Sequence, residues 1–413
     1  MRILSGVRAS RRVQELARRG SKLGSLEPAV SRIVEDVRRR GDPALRAYAE
    51  KWDLLSRDQG LRVPEEEFEA AWQMASPSLR TSLKQAAANI RRFSQKQRPR
   101  EWRRESSGIS VGQIVRPLGA VGCYVPGGRY PLVSTLLMTV IPAQVAGVPH
   151  IRVTCPNPSP QVLAAASMLG VREFYRVGGA HAIAALAYGT ETIPRADKIV
   201  GPGNAYVTIA KKLVAFDCSI DFLAGPTEVL ILSRHGRAEF IAADLVAQAE
   251  HDPAAVPVLV TTSHTLATSV RRAVDQLSKE NPTAKQALAR SGCALVARSR
   301  REAVDWANQI APEHMRAEES DLPFIQNAGS IFVGQYSAQA AGDYASGPNH
   351  VLPTAGAARF RGGLSVSDFV KVISVQQLSK RGLQSLARAV TCLAETEGLR
   401  THAESIRLRW THA

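Results

Sequence analysis

The sequence predicts an α/β protein in which two parallel-sheet units lie between helical segments at both ends. From Gly119 onward, short apolar runs alternate with helical stretches of about ten residues or more. Strands that alternate with helices build parallel sheets from βαβ units. The chain has 413 residues, enough for about two or three domains, and its apolar runs outnumber the strands of one ordinary sheet.

The elements follow from local patterns, taken in chain order. Apolar residues recur at helical spacing over 26–52, interrupted by a turn at 41–43, and a second helix is expected over 77–93. Strands are predicted at the runs VGCYV, HIRVTC, EFYRV, DKIVG, EVLIL, VPVLV and CALVA. The helices between them are expected at 161–169, 180–188, 205–214, 238–250 and 265–277. After about Leu364 the pattern is helical to the end.

Composition excludes several classes of protein. A hydrophobic share of 45% with 22% charged residues is typical of a globular enzyme and excludes disordered, collagen-like and coiled-coil chains. Five cysteines without a CxxC pair predict reduced thiols and a cytoplasmic location. No signal peptide is expected at the N-terminus. The uncharged run 130–149 contains Pro142 and several polar side chains, which favours a buried helix over a membrane span.

The net charge of +16 comes from the two ends of the chain, because residues 124–350 are neutral. The basic stretch 91–104 contains Phe93 and Trp102 and could bind nucleic acid. No recognised nucleic-acid motif accompanies it. We therefore favour a solvated basic surface and expect no nucleic-acid partner.

Three glycine turns follow predicted strands, at 124–128, 178–180 and 201–206. Backbone N–H groups at such turns can face a phosphate. The second and third turns do not complete GxGxxG, because Tyr206 stands at the last glycine position of the third. Each is as consistent with a tight turn as with a cofactor loop. Together they predict a ligand in the crevice at the strand ends.

Two short segments carry side chains suited to metal or proton chemistry. Gln248 and His251 lie three positions apart at a predicted helix end, which fits either a ligand pair or a favourable end charge. Glu313 precedes His314 after a proline. This arrangement fits either two proton acceptors in one site or a solvated pair.

Two further segments are polar. The loop 342–354, GDYASGPNHVLPT, contains Asp343 and His350 and runs into the apolar VLP, so part of it is expected to contact the core. Glu397 and His402 lie in the C-terminal helical tail. Taken alone, that pair is typical of an ordinary helix surface.

The segments as an ordered set resemble histidinol dehydrogenase. They are YVPGG, VGGAHAIAALAYGT, DKIVGPGNAYV, AGPTEVLI, QAEHDP, APEHM, GSIFVG, GDYASGPNHVLPT and EGLRTHA, within a resemblance that covers nearly the whole chain. The resemblance implies two incomplete Rossmann-like parallel-sheet domains. The first domain is discontinuous and comprises 23–123 and 229–364, and the second comprises 124–228. An N-terminal helical arm (1–22) precedes them, and a C-terminal helical tail (365–413) that reaches the partner subunit follows them.

The resemblance also implies an activity. The family oxidises L-histidinol through L-histidinal to L-histidine with two NAD⁺, the last steps of histidine biosynthesis, as a zinc-dependent homodimer with shared active sites. The implied zinc ligands are Gln248, His251, Asp343 and, from the partner subunit, His402. Glu313 and His314 match the proton acceptors. The further substrate contacts are Thr227, His350 and Glu397, and the NAD contacts are Tyr124, His181 and Asn204.

Two positions depart from the family pattern and keep alternatives open. Most relatives carry Ser at Thr227, and Gln is usual at His181. Thr227 and the nearby Arg316 favour an alternative, a paralogous zinc- and NAD-dependent dehydrogenase of a small polar diol such as dihydroxypropane sulfonate, because a cation suits an anionic substrate. A non-catalytic basic binding protein is a third hypothesis. It predicts loss of the zinc and proton-transfer residues, which are all present.

Overall fold

The computed structural model describes residues 1–20, 24–127 and 131–411. Gly128 of the first predicted glycine turn lies outside these ranges. The described strands are β1 (Arg2–Ser5), β2 (Trp102–Ser106), β3 (Ile109–Pro117), β4 (Ala120–Tyr124), β5 (His150–Thr154), β6 (Glu173–Tyr175), β7 (Lys198–Val200), β8 (Ser219–Ile220), β9 (Glu228–Leu232), β10 (Val256–Thr261), β11 (Cys293–Val296), β12 (His314–Ala317), β13 (Ser330–Val333) and β14 (Val370–Leu378).

The described α-helices lie between these strands and at both ends of the chain. They are α1 (Gly6–Ala17), α2 (Glu27–Arg40), α3 (Asp42–Trp52), α4 (Glu65–Met74), α5 (Pro77–Gln97), α6 (Val133–Ala146), α7 (Pro160–Met168), α8 (Gly179–Tyr188), α9 (Ala205–Val214), α10 (Ala238–Ala249), α11 (His264–Leu277), α12 (Pro282–Arg290), α13 (Arg300–Ile310), α14 (Gln339–Tyr344), α15 (Lys380–Thr396) and α16 (Arg400–Thr411). Short 3₁₀ helices span Gly24–Leu26, Glu319–Phe324, Ala357–Arg359 and Val366–Phe369.

The chain divides into two compact units. The first comprises Met1–Gln97 with Gly119–Phe369, and the second comprises Arg98–Leu118 with Val370–Ala413. The first unit contains two parallel sheets, and the second contains a three-stranded antiparallel sheet in the order β14-β3-β2 with α15 and α16. The parallel sheets and the α/β class are as predicted.

The larger parallel sheet, sheet A, has the strand order β1-β11-β10-β9-β12-β13. Helices α1 and α13 cover one face, and α10, α11 and α12 cover the other. Since both faces are buried, the central strands are continuous apolar runs instead of alternating ones. Leu230 and Ile231 of β9 show this, because they point to opposite faces and are both fully buried.

The second parallel sheet, sheet B, has the order β6-β5-β4-β7-β8. Helices α2, α3, α8 and α9 share a hydrophobic core with it. Helix α6 occupies the uncharged run and is buried around most of its circumference, which confirms the predicted core helix. Among the described helices, none combines the length and the apolar character needed to cross a membrane.

Several elements differ from the expectation, among them β2, β3, β12 and β13, which were not predicted as strands. The predicted N-terminal helical arm begins with β1, which pairs with β11 at the edge of sheet A. The predicted helical tail contains β14, whose pairing with β3 runs from Val370 opposite Pro117 to Leu378 opposite Ile109. Both strands are partly exposed and lack a long apolar run, so only their partners identify them as strands. The predicted first domain also includes α2, α3 and β4, which pack with sheet B.

The buried character of α6 gives a stability prediction. Leu136 is fully buried on this helix, whereas Leu277 at the end of α11 is 51% exposed. We expect Leu136→Ala to lower the free energy of unfolding by about 2–5 kcal/mol through lost burial and a cavity. We expect Leu277→Ala to change it by less than about 1 kcal/mol. Urea unfolding measures both, and equal losses would contradict the burial of this face of α6.

Candidate active site

The pair Glu313–His314 lies where β12 begins, beside the first residues of β9. Helix α13 ends at Ile310, and the left-handed backbone of the next residue, Ala311 (φ 49°), turns the chain into Pro312. Strand β12 then pairs with β9 in parallel. This turn and pairing bury both side chains at the amino ends of the two strands.

Hydrogen bonds hold the Glu313 carboxylate against the residues that precede and start β9. Its Oε2 accepts a 2.7 Å bond from the Thr227 hydroxyl and a 2.8 Å bond from the Glu228 N–H. The Nδ1 of His314 lies 3.5 Å from the same oxygen and 3.2 Å from the Glu228 carbonyl oxygen. Two proton acceptors therefore share one small network, which favours the functional interpretation of the pair over the solvated one.

Asp343 lies on the other side of the His314 ring. Its Oδ1 is 3.4 Å from His314 Nε2, and its carbonyl oxygen lies 2.7 Å from His350 Nδ1. Burial opposes protonation of His314, but Glu313 and Asp343 outweigh it and raise the pKa of His314 to about 10. Burial lowers the pKa of His350. The predicted loop residues Asp343 and His350 thus join Glu313 and His314 in one place.

Gln248 reaches the same network from the end of α10. Its Nε2 donates to the Thr227 hydroxyl, and its Oε1 is buried without a hydrogen-bond partner in the described chain. His251 follows the helix and is exposed, in a cavity of about 520 Å³ that Tyr344 also lines. Burial raises the pKa of Asp343, but the hydrogen bond and charge of His314 outweigh it and lower this pKa, with smaller contributions from His350 and His251.

Tyr124, His181 and Asn204 line a second cavity of about 520 Å³, at the carboxyl ends of β4, β6 and β7. Ligands of open parallel sheets bind at these ends. Two N–H groups of the glycine turns already have protein partners here. The Gly178 N–H donates to Asp53, and the Gly201 N–H donates to Asp221, so they are not the free phosphate donors that the turns suggested.

Glu397 and His402 belong to the second unit and are exposed, Glu397 just after α15 and His402 on α16. Their role in the site stays a prediction. Among the described residues, no group of three or more His, Cys, Asp and Glu side chains is arranged to hold a metal. The predicted set from the first unit contains only two such residues, His251 and Asp343, besides Gln248.

The structure corrects one argument and adds residues that the sequence analysis missed. Arg316 is buried and its guanidinium donates to Asp244 at 2.8 Å, so it is not a free cation for an anionic substrate. Arg19 forms a salt bridge with buried Glu228 and also donates to the Ile310 carbonyl oxygen at 2.7 Å. The sequence feature that could have predicted this pair is Glu228 itself, a charged residue that begins the apolar run EVLIL.

Comparison with known proteins agrees with this geometry. The family model described as histidinol dehydrogenase matches residues 16–410. The chain belongs to the histidinol dehydrogenase family. Histidinol dehydrogenase of Methanosarcina mazei is 47% identical over 414 residues, which cover 96% of this chain and 95% of that protein. That of Geobacter sulfurreducens is 44% identical over 408 residues, with 95% of each covered.

A solved structure gives the same result for the fold. The crystal structure of histidinol dehydrogenase from Elizabethkingia anophelis superposes with a TM-score of 0.95 at 36% identity, covering 100% of this chain and 98% of that one. The predicted resemblance is confirmed. As a member of the histidinol dehydrogenase family, the chain is an oxidoreductase.

The raised pKa of His314 predicts a pH-dependent stability of the metal-free protein. The pKa is about 10 in the folded chain against 6.5 ordinarily, so the folded state binds an extra proton between these values. The stabilisation is complete below pH 6.5 and is lost as the pH rises through about 10. In urea unfolding with EDTA, the free-energy gap between wild type and His314→Gln should narrow as the pH rises. A constant gap would contradict the raised pKa.

Proposed function

We propose that this chain catalyses the zinc-dependent oxidation of L-histidinol through L-histidinal to L-histidine with two NAD⁺, at the end of histidine biosynthesis. The observation that carries the proposal is the network of buried Gln248, Glu313 and His314 with half-buried Thr227 and Asp343. Family membership supports the same substrate. Arg316, which favoured a sulfonated diol, is neutralised by its buried partner.

The residues present fit a zinc ion. The Gln248 amide nitrogen is engaged by Thr227, which directs the unpartnered Oε1 to serve as a ligand. Asp343 and His251 add one carboxylate and one imidazole, donors that zinc accepts. When bound, zinc would hold the amine and imidazole nitrogens of the substrate and so position its alcohol.

Proton transfer in the first oxidation is assigned to His314. Two carboxylates lie within 3.5 Å of its ring nitrogens and stabilise the imidazolium that forms. Because they raise the pKa of His314 to about 10 in the metal-free chain, the transfer uses the neutral fraction of the ring, which grows as the pH rises. His314 takes the proton of the substrate alcohol as the hydride leaves the adjacent carbon.

Glu313 is assigned to the second oxidation, in which the aldehyde must add water before another hydride can leave. The contacts of its carboxylate with Thr227, the Glu228 N–H and His314 all involve Oε2, which fixes the carboxylate and leaves Oε1 to accept a proton from water. Thr227, His350 and Glu397 are proposed to contact the substrate. NAD⁺, the hydride acceptor, is proposed to bind beside Tyr124, His181 and Asn204.

We further propose a homodimer in which His402 and Glu397 of one subunit complete the site of the other. Two observations support an active site that is shared between subunits. The first unit supplies only Gln248, His251 and Asp343 of the proposed ligands, and His402 lies exposed on a helix of the second unit. An exposed imidazole is available to a partner subunit.

The substrate assignment predicts zinc-dependent NADH formation with L-histidinol. Exhaustive chelation should remove activity, and added Zn²⁺ should restore it, because the proposed substrate-positioning ligands would lose their ion. Absorbance of NADH with L-histidinol or dihydroxypropane sulfonate measures this. Turnover of the sulfonate alone would overturn the substrate, and full activity after chelation would overturn the metal.

The split of roles predicts that Glu313→Gln impairs the second oxidation more than the first. The amide cannot accept a proton from water, so histidine formation should fall by at least about 100-fold, within the range of general base catalysis. Aldehyde formation from histidinol should fall less. Single-turnover assays that trap histidinal measure both steps, and equal losses would contradict the split.

The shared site predicts complementation between inactive variants. His251→Ala and His402→Ala homodimers should both be inactive, whereas mixed dimers should regain activity because one of their two sites has every ligand. Activity after co-expression with two affinity tags measures this. Inactive, tag-verified heterodimers would argue against a site that crosses subunits.

A further inference from the structure

The cavity lined by Tyr124, His181 and Asn204 contains an acid–histidine pair that the roles above do not explain. The Oδ2 of Asp53 lies 2.7 Å from His181 Nε2 and accepts a second 2.7 Å bond from the Gly178 N–H. Both side chains are buried, and both residues line the cavity. Because a carboxylate only accepts hydrogen bonds, the Nε2 of His181 carries a proton.

The other ring nitrogen of His181 is unsatisfied. His181 is 1% exposed, and its Nδ1 has no hydrogen-bond partner in the described ranges. A Cβ on Gly179 would lie 3.4 Å from Nδ1, so the glycine leaves room for about one ligand atom beside it. A buried acceptor without a partner destabilises a protein. A hydrogen bond from a ligand donor to this nitrogen would therefore contribute more binding free energy than one to an acceptor that already has a partner.

The surroundings of this nitrogen favour a donor over a phosphate. The Gly178 N–H is used by Asp53, and the Gly179 N–H donates to the Tyr124 hydroxyl at 3.1 Å. In the neutral ring with a proton on Nε2, Nδ1 is an acceptor. A phosphate would bring further acceptor oxygens and negative charge beside the Asp53 carboxylate. Hydroxyl and amino groups, which NAD carries on its two nucleosides, can donate a hydrogen bond to Nδ1 and bring no negative charge.

We propose that Asp53 is a positioning residue for NAD binding, which fixes the His181 ring so that Nδ1 accepts a hydrogen bond from a hydroxyl or amino group of NAD. The inference rests on the proposed function, since it needs NAD in this cavity. Tyr48 and Trp52 pack near the ring, with centroids 5.8 and 5.9 Å from that of His181. A flipped ring would lose the bond to Asp53, so Asp53 determines which nitrogen is left for the ligand.

Calorimetric titration of the full chain with NAD⁺ tests the proposal. Asp53→Ala and His181→Phe should each raise the Kd about tenfold, the effect of one lost buried hydrogen bond. Asp53→Asn keeps an acceptor oxygen and should stay within about threefold of wild type. The KM for NAD⁺ should rise with the Kd, while kcat at saturating NAD⁺ stays near the wild-type value.

The matched control is Asp217→Ala. Asp217 accepts a 3.0 Å bond from Tyr188 at the end of the same helix, α8, but it is exposed and does not line the cavity. This variant should bind NAD⁺ as wild type does. A tenfold loss here as well would show that disturbance of α8 is enough and would overturn the role of Asp53. Circular dichroism checks that each variant folds.

A double variant separates positioning from loop support. In the His181→Phe background, Asp53→Ala should cause no further loss of affinity, because Asp53 acts through the ring. A further loss would assign its effect to the Gly178 bond and overturn the proposal. Wild-type affinity of His181→Phe would overturn it too, even if Asp53→Ala fails to fold. No NAD⁺ binding by the wild type would instead contradict the proposed function.

Two fragments locate the donor group on NAD. AMP carries only the adenosine nucleoside, and nicotinamide mononucleotide carries only the other nucleoside. The fragment that contains the donor should lose about tenfold in affinity in Asp53→Ala, as NAD⁺ does. Equal affinities of wild type and variant for both fragments would overturn the proposal.

Discussion

The parallel pairing of β12 with β9 is the constraint on which the candidate active site depends. It places Glu313 and His314 beside Thr227 and Glu228, although these pairs are more than eighty positions apart in the chain. The salt bridge from Arg19 to Glu228 ties helix α1 to the same place. Because a buried carboxylate needs a partner, Glu228 also fixes the position of the N-terminal helix.

The two proposed ligand regions use opposite ends of their sheets. The cavity of Tyr124 and His181 follows the general rule for open parallel sheets and lies at the carboxyl ends of sheet B. Glu313 and His314 instead lie at the amino ends of β9 and β12 in sheet A. There, the turn at Ala311 and the loop before β9 supply the polar groups. The fold class alone would have predicted a site at the carboxyl ends of the strands of sheet A.

Local charge pairs, and not the net charge of +16, determine the electrostatics of both regions. Arg316 is paired with Asp244 and Arg19 with Glu228, and in the other region the Asp53 carboxylate accepts a hydrogen bond from the His181 ring. Each pair is buried or partly buried, where unpaired charge is costly. His314 lies between two carboxylates, which raise its pKa. The basic surplus at the chain ends explains none of these contacts.

The sequence alone determined the α/β class, the strands β4–β7 and β9–β11 and the buried helix α6, because continuous apolar runs and helical periodicity are local properties. Its motifs also predicted Glu313, His314, Gln248 and Asp343 as site residues, and the structure brings these side chains into one network. Only the tertiary structure decided that β1 and β14 are strands, because their pairing partners are distant in the chain. It alone joined Asp53 to His181 across 128 positions. No periodicity encodes which distant carboxylate will meet a given imidazole, since packing of separate elements decides it.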